Sequence, residues 1–156
     1  MTHGELLSIL HGPERAAEAV LAYKTRHDML FAACQSMTAN YDKVGGHGSG
    51  SDSGDRMARL ADERARLDAA WRELYRREAQ VQDLLDTMKR EHEEFSDRDY
   101  QLLRMRYVLR LPWKDVQEGL QLQGHKKVDP RTIRRWHQSA IASILRLTFT
   151  EEDIDK

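Results

Sequence analysis

The chain has 156 residues, 33 per cent of them charged and only 7 per cent aromatic, which is too little apolar volume for one large spherical core but suits helices packed in pairs. Its net charge of −1 conceals a polarity: residues 1–95 hold 13 Lys/Arg against 17 Asp/Glu, residues 96–148 hold 11 against 5, and residues 149–156 hold Lys156 against four acids, so a basic working surface is expected on an otherwise acidic protein. The single cysteine excludes an intramolecular disulfide, and no apolar run approaches the ~18 residues of a membrane span.

The start, Met1-Thr2-His3-Gly4-Glu5, lacks the basic and apolar segments of a secretion signal. A soluble, cytoplasmic chain without a membrane partner is therefore expected. A helical pattern runs from about Glu14 to Ala39, with Pro13 suited to a helix start and Val20, Tyr23, Leu30, Cys34 and Met37 near helical spacing. Cys34, among Leu30, Phe31, Ala32, Ala33 and Met37, reads as a buried structural cysteine rather than a catalytic thiol.

A flexible loop is expected over about 40–55, where Tyr41-Asp42 leads into a Gly/Ser-rich run from Gly45 to Gly54. No Gly-Lys-Ser/Thr closes that run, which excludes a phosphate loop, and its acids lack the alternation and terminal Glu of a calcium loop. Asp55 to Phe95 then predicts a long helix of roughly 60 Å at ~1.5 Å per residue. Leu60, Leu67, Leu74, Val81, Met88 and Phe95 recur every seven residues, while the companion column reads Met57, Arg64, Trp71, Glu78, Leu85 and His92. One seam is apolar and the other half so, which suits packing on the first helix or against another protomer, a homodimer through the long helix.

Ser96 is placed to cap the next helix, with Asp99 three residues on supplying a further acceptor to the first turn. Tyr100, Leu103, Tyr107, Val108 and Leu111 follow at helical spacing, interleaved with Arg104, Arg106 and Arg110. Pro112 stops that helix and opens another over Trp113–Leu120, in which Trp113, Val116 and Leu120 share one face. After a polar turn, Asp129-Pro130 marks the start of a last helix running from Arg131 to Leu147. Ile133, Trp136, Ala140, Ile141, Ile144 and Leu145 form its apolar stripe. Arg131, Thr132, Arg134, Arg135 and Gln138 stand on its other faces near the N-terminal end, the arrangement that major-groove reading requires, because an arginine fork can bridge guanine O6 and N7.

These residues carry a resemblance. Phe95 to Tyr107, ending in Leu103-Arg104-Met105-Arg106-Tyr107, resembles the helix of bacterial sigma-70 region 4 that closes on Leu-x-x-Arg-Tyr. Trp113–Leu120 takes the place of that region's first helix of the helix-turn-helix, and Val128 to Trp136 resembles its recognition helix. The wider layout, with Tyr41-Asp42, Arg106-Tyr107 and Trp113 as its marks, is similar to a family of small phage and prophage proteins. The resemblance implies that residues 96–148 form a sigma region 4-like helix-turn-helix domain, beside the N-terminal antiparallel helical hairpin or coiled-coil stalk (1–95) and the acidic tail (149–156) that periodicity and charge predict in an all-α chain. It further implies a phage transcription regulator that binds double-stranded DNA, with base or phosphate contacts from Arg131, Thr132, Arg134, Arg135 and Gln138. RNA polymerase is a further implied partner, since sigma region 4 contacts both. Gly124-His125-Lys126-Lys127 stands as an insertion in the turn, whose Lys126 and Lys127 either meet phosphates or are simply solvated. Gly119 replaces the expected helix former in a manner suited to close helix packing.

Two other roles fit the same layout: a polymerase- or host-factor-binding protein that never touches DNA, and the DNA-recognition subunit of a phage terminase. Seven histidines without a His-Glu-x-x-His or a cysteine pair argue against zinc. No nucleophile elbow, nucleotide fingerprint or paired-acid constellation argues for an enzyme, and no cofactor is expected. Trp113 and Trp136 fall on apolar faces and are expected in the core.

Overall fold

A computed structural model describes residues 1–41, 50–125 and 128–152. Among them there are helices and turns and no strand, so the fold is all-α as the sequence implies. In chain order the helices are α1 (His3–Leu10), α2 (Gly12–Tyr41), α3 (Gly50–Glu91), α4 (Asp97–Leu103), α5 (Trp113–Leu122) and α6 (Pro130–Glu152), with a π-helical turn over Arg104–Val108 continuing α4. They pack as two compact units, one of residues 1–14 and 75–156 and the other of residues 15–74.

The first unit opens on a helix that the sequence reading passed over. Thr2 and Glu5 form a reciprocal cap: the Glu5 N–H donates to Thr2 Oγ1 at 3.2 Å and the Thr2 N–H donates to Glu5 Oε2 at 2.6 Å, which satisfies two donors that α1 cannot satisfy internally. The cap directs Leu6 and Leu10 into a core with Val81, Leu85 and Met88 of α3, Phe95, Leu102 and Leu103, Val116 and Leu120 of α5, and Ala140 and Ile144 of α6. Packing therefore reaches across residue 95, the expected edge of the basic domain, because the C-terminal part of α3 supplies one wall of that domain's core.

Ser96 caps α4 as expected, its Oγ accepting from the Asp99 N–H at 3.2 Å. Asp99 does not return the favour to the first turn. Its carboxylate is one methylene shorter than the Glu of a full box; the residue is 5 per cent exposed and accepts from the Arg98 guanidinium at 2.9 and 3.1 Å. The π turn ends as Leu109 N–H donates to Arg104 O and the chain passes through Arg110 at φ +54°. The Arg110 guanidinium is held there by the Glu78 carboxylate of α3.

Helix α3 stops at Glu91 rather than Phe95: the Phe95 N–H donates to His92 O at 3.0 Å, and this turn carries the fully buried Phe95 ring inward. Of the seven-residue seam, Leu74, Val81, Met88 and Phe95 are buried and Leu60 and Leu67 half-buried. The loop expected over 40–55 is helical at its described margins, since α2 continues to Tyr41 and α3 begins at Gly50. First-turn N–H groups need no intrahelical acceptor, so Gly, Ser and Asp are tolerated there. The core of the expected loop, residues 42–49, lies outside the described residues.

In the second unit Ala16 and Val20 of α2 meet Ala70 and Leu74 of α3, with Ala17, Tyr23 and Leu67 around them. Alanines at the contact let the two helix backbones approach closely. Cys34 is half-buried rather than enclosed. Helix α6 runs to Glu152 and so takes in half of the acidic segment expected as a tail; residues 153–156 lie outside the described residues.

Candidate nucleic-acid interface

Two helix starts and one helix stop build the site. Pro112 at ψ 154° stands just before α5 and passes its carbonyl to the Asp115 and Val116 N–H groups at 2.9 and 3.1 Å. Helix α6 starts as its sequence demands: Asp129 Oδ1 accepts from the Thr132 N–H at 2.8 Å, and Pro130 fills the first helical position. That bond to the Thr132 backbone, with smaller help from Arg131, holds the Asp129 carboxyl below its ordinary range.

Between these starts lies a hydrogen-bonded stop. The Gly124 N–H donates to Gln121 O at 3.1 Å and the His125 N–H to Leu120 O at 3.2 Å, with Gly124 at φ +91°. This is the Schellman arrangement, and the left-handed residue in it is tolerated best as glycine. The segment expected as an insertion therefore contains the terminator of α5. Gln117 closes the turn from the other side by donating its side-chain N–H to Val128 O, with Val128 itself buried.

The N-terminal halves of α5 and α6 flank a groove of about 500 Å³ lined by Trp113, Lys114, Gln117, Pro130, Ile133, Arg134 and His137. Trp113, expected in the core, is 39 per cent exposed. Its ring has two fixed neighbours: the Arg106 guanidinium lies 5.3 Å from the ring centre and the His137 imidazole stands nearly perpendicular to it at 5.0 Å. Arg106 is itself anchored, donating to Leu111 O at 3.3 Å and standing 3.5 Å from the Glu14 carboxylate.

His137 links α6 to the π turn. Its Nε2 lies 2.7 Å from the Tyr107 hydroxyl. Burial holds the Tyr107 phenol above its ordinary value, keeping its proton on. Burial also pushes the His137 imidazole below its ordinary 6.5, with Arg106 and His11 acting in the same direction. A neutral imidazole can accept the phenol proton, so the pair is a satisfied buried hydrogen bond that sets the rotation of α6. A further brace is Arg98, whose guanidinium lies 4.6 Å from the Trp136 ring centre while paired with Asp99. Gly119 supplies close packing as expected: a Cβ there would stand 2.8 Å from Met105 Sδ.

With α6 fixed in this way, Arg131, Arg134, Arg135 and Gln138 are all exposed. At ~3.6 residues per turn they fall in one sector about 100° wide. Thr132 is turned aside and half-buried, its N–H engaged by the cap. Lys126 and Lys127 lie outside the described residues. Lys114, which the sequence reading did not select, is exposed on the α5 rim of the groove opposite Arg134. A lone lysine in the first turn of a helix carries no signal until the groove pairs it with α6.

Among the described residues Lys114, Arg134 and Arg135 make no ion pair. No group of His, Cys, Asp and Glu among them could hold a metal ion, and no helix is long and apolar enough to cross a membrane. What the arrangement offers is a rim of free cations over an apolar floor, at a helix N-terminus whose dipole favours anions. Comparisons with protein-family models, curated proteins and solved structures returned no match.

Proposed function

We propose that this protein is a DNA-binding transcription regulator of phage type, in which α5 and α6 act as a helix-turn-helix and the N-terminal half of α6 enters the major groove. The observation that carries the reading is the row Arg131, Arg134, Arg135 and Gln138 on one exposed sector of α6, whose three arginines make no ion pair among the described residues, while Arg98, Arg106 and Arg110 of the same unit do. Lys114 and the N-terminus of α5 stand where a neighbouring phosphate would pass. Arg134 and Arg135 supply base or phosphate contacts, Arg131 a phosphate contact, and Gln138 a base contact one turn further along.

Selection of bound duplexes from a random DNA pool at fixed salt tests the reading. Enrichment of one motif by the wild-type chain, lost or relaxed at one position in Arg134→Ala or Arg135→Ala, is the expected result. Recovery of the same motif with the same affinity by both variants would remove α6 from the interface.

The apolar floor formed by Trp113, Pro130 and Ile133 favours a second reading, in which a segment of RNA polymerase or a host factor seats in the groove. Retention on polymerase but not on DNA, abolished by Ile133→Glu and untouched by Arg135→Ala, is its signature.

A further inference from the structure

The part of α3 that belongs to the second unit carries a regular column of its own. Met57, Ala61, Arg64, Asp68 and Trp71 follow one another at alternating steps of four and three, the spacing that keeps side chains on one face of a helix. All five are exposed. They stand on a different face from Leu67, Ala70 and Leu74, which pack against α2. Some charges of this unit are answered within their own helix, as in Lys24 with Asp28 at 2.6 Å and Arg66 with Glu63 at 3.0 Å. Among the described residues neither Arg64 nor Asp68 makes an ion pair.

Four residues of the column, Ala61, Arg64, Asp68 and Trp71, are self-complementary on reversal. Reversed about the level of Arg66, position 64 falls on position 68 and position 61 on position 71. The cation thus falls on the anion and the smallest side chain on the largest. A two-fold interface requires this kind of self-complementarity, because each residue meets a different residue of an identical surface.

We infer that a second copy of this chain docks antiparallel on α3 through this column. Each Arg64 then faces the partner's Asp68, so the ion pair forms twice, and each Trp71 lies over the partner's Ala61. Parallel docking would set Arg64 on its own copy and Asp68 on its own copy, which is repulsive at both points. The inference rests on the second unit alone and stands or falls separately from the DNA reading.

Sedimentation equilibrium of the full chain over a range of concentrations tests it, and a reversible monomer–dimer equilibrium is expected. Arg64→Glu and Asp68→Arg each place like charges opposite one another at two symmetric points and weaken dimerisation by roughly tenfold or more. The combined Arg64→Glu/Asp68→Arg chain restores opposite charges and returns the dissociation constant to within about threefold of wild type. Arg64→Ala, a milder change at the same exposed site, gives a smaller loss than the reversals. Helix content by circular dichroism is unchanged throughout. A wild-type monomer at every concentration, single reversals without effect, or a combined variant no better than either reversal overturns the inference.

Discussion

Two groups of arginines in one compact unit have opposite fates. Arg98, Arg106 and Arg110, on α4 and the turn that follows it, are spent on the fold. Arg98 is clamped by the nearly buried Asp99 and covers Trp136, Arg106 bridges Glu14 and Trp113, and Arg110 holds Glu78. Arg134 and Arg135 on α6 point outward and make no ion pair among the described residues. The same side chain is structural where a carboxylate holds it and available to a partner where none does. A count of +6 over residues 96–148 treats these groups alike; only three-dimensional packing separates them.

The contrast can be broken most sharply at Arg98. Arg98→Ala strands the Asp99 carboxylate in a nearly buried site and uncovers Trp136, and should cost about 2 kcal/mol of stability, discounted from the buried-pair range because Arg98 is partly exposed. Urea denaturation measures it. Arg134→Ala and Arg135→Ala should leave stability within about 0.5 kcal/mol of wild type and instead cost roughly 1–3 kcal/mol of DNA affinity wherever the residue reads a base. Gly124→Ala tests the stop that sets α5 against α6. The left-handed backbone it occupies costs an L side chain on the order of 1 kcal/mol, with a lowered Tm and a weaker DNA complex as the readouts.

The smallest effect is electrostatic. Because burial lowers the His137 pKa below 6.5, the folded protein takes up this proton less readily than the unfolded chain. The stability that His137 contributes is fully present above ~6.5 and is lost as the pH falls through its lower folded value. Thermal melts between pH ~7.5 and ~5.5 should show Tm falling on the acid side, and His137→Gln should flatten that slope. A Tm that rises toward acid would mean that the imidazole is stabilised in its charged form.

Much of this was legible in the sequence wherever the signal is local. The Ser96 and Asp129-Pro130 starts and the stop at Pro112 depend on residues within a few positions of one another, whereas Gly119 marks its close approach without naming Met105, its distant neighbour. Thr2-x-x-Glu5 followed by Leu6 and Leu10 carries the same kind of local signal for α1. Gly124 was open to view as a helix terminator but reads as an insertion when the turn is aligned on a shorter one. The Tyr107–His137 bond spans 30 positions, and the Arg98–Trp136 contact likewise joins distant segments. No periodicity encodes either, because each joins segments that meet only in the folded chain. Trp113 illustrates the same limit: an apolar face locates it correctly on α5 but does not tell whether the groove beside it is filled.

The most direct test of the division between structural and available arginines is the salt dependence of DNA binding, measured as log Kobs against log salt for the wild-type chain, Arg131→Ala, Arg135→Ala and Arg146→Ala. Arg146 pairs with Glu94 at 2.9 Å and serves as the engaged control. A slope reduced by about one for each α6 row residue that holds a phosphate, with Arg146→Ala superimposable on wild type, is the result expected. Slopes unchanged in the row variants and reduced in Arg146→Ala would contradict the assignment of α6's N-terminal half as the surface that meets DNA.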